Sequence, residues 1–198
     1  MKHRVNHNMH NMIKRICSEI ERIRNEKGSV LLAIDGRCGS GKTTLAMNLQ
    51  MTFQCEVIHM DHFFPRLEQR TAERLNEPGG NFDRERLLEE VIAPLERREA
   101  FSYRRYDPRI HDMAEEYHIQ PCDITIIEGS YSCHPVLFDY YDLRIFLTVS
   151  EPERLRRIRQ RNGEAGLIQF QDKWIPMEER YFSAYKIEER CDLRFSTG

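Results

Sequence analysis

The sequence predicts a three-layer α/β sandwich in which a five-stranded parallel sheet carries helices on both faces. Three observations lead there. Short, nearly continuous apolar runs recur along the chain, as suits strands buried on both sides. Stretches of helical periodicity separate them, so strand and helix alternate. The first apolar run also passes through a glycine-rich loop directly into a helical pattern, forming a strand–loop–helix unit.

The elements follow in order. Residues 12–27 carry a helical pattern, and VLLAID at 30–35 is the first strand. A helix over 42–52 and a strand over 56–60 come next. Asp83, after Pro78-Gly79-Gly80, is placed to cap a helix over 84–97. Strands are expected at 124–128 and 143–149, a helix at 152–161, a helix at 174–189 and a last strand at 192–195. Ser150-Glu151-Pro152-Glu153 has the form of a capping box with proline in the first turn. Residues 62–82 and 98–122 are polar and interrupted, and long loops in compact domains are often functional, so they read as substrate-covering insertions. The organisation is a single domain over 1–198. It has an N-terminal extension and helix at 1–28, substrate-binding insertions within 62–122 and a lid region at 152–175.

Composition narrows the function classes. With 40% hydrophobic and 31% charged residues the chain is globular, and a formal net charge of −2 disfavours bulk attraction to nucleic acid or membrane. The six cysteines include no C-x-x-C pair, which fits reduced thiols in a cytoplasmic protein. The first residues are polar, without an apolar segment for export, and His3, His7 and His10 read as part of a polar tail.

Chemistry concentrates at Gly36-Arg37-Cys38-Gly39-Ser40-Gly41-Lys42-Thr43, which matches G-x-x-x-x-G-K-[ST], the Walker A motif or P-loop. Chance would place this string in such a chain well under about 1% of the time. Gly36, Gly39 and Gly41 let the backbone wrap an anion, and the N–H groups from Ser40 to Thr44 point inward at a helix N-terminus. Lys42 is expected on the β- and γ-phosphates of ATP and Thr43 on Mg²⁺. The fold class is therefore a P-loop NTPase sandwich. Glu128 ends the strand Ile124-Thr125-Ile126-Ile127 in the manner of a Walker B acid and is a second candidate for the metal.

Two features favour phosphoryl transfer over a nucleotide switch, and the guanine-reading N-K-x-D motif is absent. Nor is there a recognisable arginine finger or sensor array of a ring ATPase. Met60-Asp61-His62-Phe63-Phe64 puts Asp61 at the sheet edge that holds the P-loop, either as the base for an acceptor hydroxyl or as a cap. Arg154, Arg157 and Arg161 share a helix face, either a lid over the phosphates or a solvated basic surface.

With these residues in view, the chain resembles the uridine kinase family of P-loop nucleoside kinases and its relatives, the nicotinamide riboside kinases. The likeness spans residues 30–181 through GRCGSGKTT, MDHFF, GGNFDRERLL, YDPRIH, IIEG and FLTVSEPERLRRIRQR. It implies that Asp61 is the catalytic carboxylate, Glu128 the Walker B acid, and Arg157 and Arg161 lid arginines. It also implies that Asp83 binds ribose hydroxyls, where an N-cap role competes, and that Tyr106 and His111 lie near a pyrimidine base. Pro108 stands where uridine kinases carry an aromatic, and the Trp-x-Pro-Met run at 174–177 is closer to the nicotinamide riboside kinases. Trp174, Met177 and Tyr181 are expected as core contacts. The expected activity is ATP-dependent phosphorylation of a small-molecule hydroxyl, the 5′-OH of a pyrimidine nucleoside first. Nicotinamide riboside, pantothenate, a sugar or a regulatory ATPase role are the alternatives. No nucleic-acid or membrane partner is expected, and the N-terminal helix leaves room for a homo-oligomer.

Overall fold

The computed structural model describes residues 2–198, with side chains from Met9 onward. His3 and His7 lie outside the described side chains, and His10 is exposed. Helix α1 (Lys2–Lys27) turns through Gly28 into β1 (Val30–Gly36), which the P-loop joins to α2 (Lys42–Phe53). Strand β2 (Glu56–His59), the short α3 (Ala72–Asn76) and α4 (residues 84–97) follow. The second half contains β3 (Phe101–Asp107), β4 (Asp112–Ile119), β5 (Ile124–Glu128), α5 (Pro135–Phe138) and β6 (Leu143–Thr148). It closes with α6 (Glu151–Gln169), α7 (Ile175–Tyr185), α8 (Ile187–Arg190) and β7 (Leu193–Ser196).

The main sheet has the expected five parallel strands, in the order β2-β5-β1-β6-β7. Its inner strands are apolar on both faces because both are covered. Leu32, Ile34, Ile126 and Ile145 point to one side, against Ile16 and Ile20 of α1 and Leu45 and Leu49 of α2. Ala33, Ile127 and Phe146 point to the other, against Leu87 and Val91 of α4 and Tyr181 and Phe182 of α7. This two-sided burial is why the strands lack polar alternation.

Several local expectations change. Residues 98–122 contain an antiparallel hairpin, β3–β4, rather than an irregular insertion. Its alternation is broken by a register shift between Arg104 and Tyr106, which hides the period-two signal. Ser150 has cap geometry but its side chain makes no cap hydrogen bond. Glu153 is instead drawn away by Arg156 and Arg157, each at 2.7 Å. Asp83 does cap α4, accepting from the Arg86 N–H at 3.2 Å. Helix α6 runs past Arg161 but is interrupted at Gly163, whose φ of 72° breaks the helical geometry.

Two widened π-turns, Leu87–Ile92 and Phe170–Trp174, are each followed two residues later by a proline, Pro94 and Pro176. A proline ring clashes with the carbonyl four residues back and supplies no N–H, so a looser turn before it relieves the clash. Among the described residues no helix is long and apolar enough to cross a membrane. All six cysteines are free thiols.

Candidate active site

The P-loop leaves the carboxyl edge of the sheet where β1 ends. Gly36 sits at φ 134°, and a Cβ there would lie 2.0 Å from the Leu147 carbonyl oxygen of β6, so only glycine lets the loop depart at this point. The loop is anchored to β6 by the Arg37 N–H, which donates to that carbonyl at 3.1 Å. Gly41 precedes α2 at φ 94° and supplies no side-chain cap, which leaves the helix N-terminus open toward an anion. The Lys42 ammonium folds back on its own loop, donating to the carbonyls of Gly36 at 2.6 Å and Arg37 at 3.2 Å. The buried Ser40 hydroxyl has no hydrogen-bond partner among the described residues.

Strand β5 delivers Glu128 beside the loop. The Thr43 hydroxyl donates to Glu128 Oε1 at 3.2 Å, and His59 Nδ1 stands 2.5 Å from the same oxygen. This hydrogen bond to Glu128 raises the His59 pKa above its ordinary value, against the opposing effect of burial. Two oxygen donors meeting beside an anion cradle are the chemistry that a hard divalent cation such as Mg²⁺ selects. Thr43 and Glu128 therefore fit that role.

Asp61 follows β2 in a single 3₁₀ turn, Met60–His62, and lines the same cleft as Lys42 and Glu128. Asp61 is exposed to solvent, although neighbouring protein crowds it. That desolvation raises its pKa, Glu128 raises it further, and Lys42 pulls it down. The cleft encloses about 550 Å³. On the Asp61 side its walls are Phe64, Asn81, Phe82, Tyr131 and Trp174.

The three arginines of the α6 face separate into different roles. Arg154 is buried and pairs with Glu178 at 2.8 Å and Glu179 at 2.7 Å, so it serves as a support rather than a mobile lid group. Arg157 lines the cleft and donates to the Gly39 carbonyl at 3.0 Å. Arg161 also lines it, with its guanidinium 5.6 Å from the Phe170 ring centre.

Three expected substrate residues do not reach the cleft. Asp83 is fully buried, and besides its cap bond its carboxylate accepts from Arg66 at 3.2 Å and Gln69 at 2.8 Å. Its neighbours Asn81 and Phe82 line the cleft in its place. Tyr106 is packed inside under Arg70, and His111 is exposed in the hairpin turn at φ 57°. Trp174 faces the cleft, whereas Tyr181 is core and donates its hydroxyl to Asp35 at 2.8 Å.

Sequence reasoning missed His59, Ser130 and Glu178. Glu178 accepts from the Cys38 N–H at 3.0 Å and the Ser130 hydroxyl at 2.5 Å, and so ties α7 to the P-loop. The signal for His59 was present in His59-Met60-Asp61, where it ends the strand two residues before the acid. Nothing local marks Glu178, which lies 140 residues from its P-loop partner.

A strand-to-helix phosphate loop, a strand-end acid on its threonine and a second carboxylate in the same cleft define a P-loop protein of the kinase type. The chain belongs to the AAA domain family, whose model matches residues 32–182. It is similar to the uridine kinase of Latilactobacillus sakei subsp. sakei (strain 23K), with 26% identity over 159 residues covering 74% of this chain and 73% of that one. Its fold is similar to that of a possible uridine kinase from Bacillus stearothermophilus, at TM-score 0.64 and 20% identity, covering 91% of this chain and 99% of the other. D-glycerate 3-kinase from Cryptococcus neoformans var. grubii serotype A shares the fold at TM-score 0.69 and 16% identity, covering 94% of each chain.

Proposed function

We propose that the protein transfers the γ-phosphoryl group of ATP to a hydroxyl of a small molecule, with a nucleoside as the acceptor class. The observation that carries this reading is that Lys42, Glu128 and Asp61 line one cleft. Phosphoryl transfer needs little from a protein beyond positioning, charge neutralisation and a carboxylate for the attacking hydroxyl. The P-loop N–H groups and the α2 N-terminus hold the phosphates, and Lys42 moves from its loop carbonyls to the transferring group. Bound Mg²⁺, held by Thr43 and Glu128, would neutralise phosphate charge. Asp61 accepts the acceptor's proton as its oxygen bonds to the γ-phosphorus and the bond to the ADP oxygen breaks. Its raised pKa makes Asp61 a stronger base than an ordinary carboxylate. Arg157 and Arg161 place positive charge at the same cleft.

Aromatic walls at Phe64, Phe82, Tyr131 and Trp174 support an acceptor with a flat ring, and the similarity to a protein named uridine kinase supports a pyrimidine nucleoside first. A second reading, a sugar or other small polyol, is favoured by one observation. Asp83 and Tyr106, the residues expected to read ribose and base, are buried off the cleft. The deciding measurement is ADP release from MgATP across uridine, cytidine, other nucleosides, nicotinamide riboside, pantothenate and simple sugars. Stimulation by a pyrimidine nucleoside is expected. A response only to sugars would replace the acceptor and keep the chemistry, and acceptor-independent hydrolysis across the whole panel would sink the kinase reading.

A further inference from the structure

The cleft extends past the P-loop to an end that the catalytic reading does not use. Its wall there is made by Met9, Met12 and Ile13 of α1, with Asn48 of α2 and Thr197 behind β7. The family match begins at residue 32 and ends at residue 182, so both α1 and the C-terminal segment lie outside it.

The chain geometry explains how α1 gets there. At about 1.5 Å per residue a 26-residue helix is roughly 39 Å long, whereas a seven-residue strand covers about 23 Å. The tight turn at Gly28, with φ 82°, sends β1 back along α1. Met12, Ile16, Ile20 and Ile23 are buried on the sheet-facing stripe. The helix therefore outruns the sheet at its carboxyl edge, and its overhang stands beside the P-loop. The facing segment is held in place. Thr197 donates its hydroxyl to the Ser40 carbonyl at 2.7 Å, and Arg157 donates to the Thr197 carbonyl at 2.7 Å.

We propose that Met9, Met12 and Ile13 form an apolar wall against which the base of the bound nucleotide lies. The proposal rests on the phosphate-site reading above. In-line transfer puts donor and acceptor on opposite sides of the moving phosphoryl group. Asp61 and the aromatic walls mark the acceptor side, so the rest of the nucleotide runs the other way, toward α1. Thioether and aliphatic side chains suit the flat face of a heteroaromatic base, since methionine adapts its shape and sulfur contacts aromatic rings favourably. Met9 is 39% exposed, so the wall presents apolar surface that a base would cover.

The test compares two probes on the full chain in magnesium-containing buffer: ADP, which has a base, and inorganic tripolyphosphate, which has none. Calorimetric titrations are made on the wild type, Met9→Ser, and the double variant Met9→Gln/Ile13→Gln, with thermal midpoints recorded for each. The partly exposed Met9→Ser site keeps the test readable if the double variant folds poorly. ADP affinity is expected to fall about three-fold in the single variant and ten-fold or more in the double, with tripolyphosphate affinity held within about two-fold. Unchanged ADP affinity would overturn the proposal, as would equal losses for both probes. A wild type that binds neither probe would overturn the phosphate-site reading itself, and the base wall with it.

Discussion

Asp61 is the residue on which the proposed chemistry turns, because it is a cleft carboxylate separate from Glu128, the acid that meets Thr43. Replacing it with asparagine keeps size and polarity but removes the proton acceptor. For Asp61→Asn, acceptor-dependent ADP release is expected to drop by roughly 10²–10⁴-fold, while calorimetric ADP affinity stays close to wild type. Transfer near the wild-type rate would show that the acceptor proton leaves by another route. The residue was legible because it follows a recognisable strand and directly precedes His62, Phe63 and Phe64. The neighbouring His59 was not, since a histidine ending a strand has no local pattern that announces a contact with Glu128 69 residues away.

At the scale of elements, α7 acts as a brace for the phosphate loop. Glu178 accepts hydrogen bonds from Cys38 in the P-loop, Ser130 after β5 and Arg154 on α6, so one carboxylate joins four segments. The Arg154–Glu178 pair is buried on both sides, each side chain 6% exposed. Removing one partner of such a pair strands the other charge away from water, which costs about 3–5 kcal/mol. Glu178→Ala is expected to lower unfolding stability by an amount in that range, read from urea denaturation, with Glu179 compensating in part through its own bond to Arg154. A loss below about 1 kcal/mol, the value of an exposed pair, would mean that the brace is not formed in solution. The arginine run was visible as a helix face. That Arg154 is spent on support while Arg157 and Arg161 face the cleft depends on where α7 packs, and spacing within α6 carries no information on that.

For the molecule as a whole, Asp35 links the layers. It is the penultimate residue of β1, has no exposed surface, and accepts from the Gly36 N–H at 2.7 Å, the Cys133 N–H at 2.9 Å and the Tyr181 hydroxyl. Burial pushes its pKa from the ordinary 3.8 up to about 6, despite these bonds and the nearby Lys42. Protonation is thus easier in the folded state than in the unfolded one. The stability this confers is fully present below pH 3.8 and is lost as pH rises through about 6. The shift corresponds to about 3 kcal/mol. Denaturation of the wild type across this window is expected to show that component, and Asp35→Asn, which cannot titrate, is expected to lack it. Parallel pH profiles for the two proteins would assign the dependence to other groups.

The sequence by itself determined the sheet, the P-loop and the strand-end acid. Each is written in contiguous residues whose backbone conformation or burial depends on near neighbours: a double-faced apolar run, a glycine loop, a helix start. The hairpin of residues 101–119 was less legible because its register shift and many exposed charges mask the alternation that marks a strand. Only the tertiary structure decided which residues meet at the cleft. It withdrew Asp83 and Tyr106 into the interior, brought Glu178 and His59 to the P-loop and its acid, and carried the end of α1 beyond the sheet to the open end of the site. The physical reason is that such encounters depend on how packed layers superpose distant segments, and a local pattern records a segment's burial without naming its neighbour.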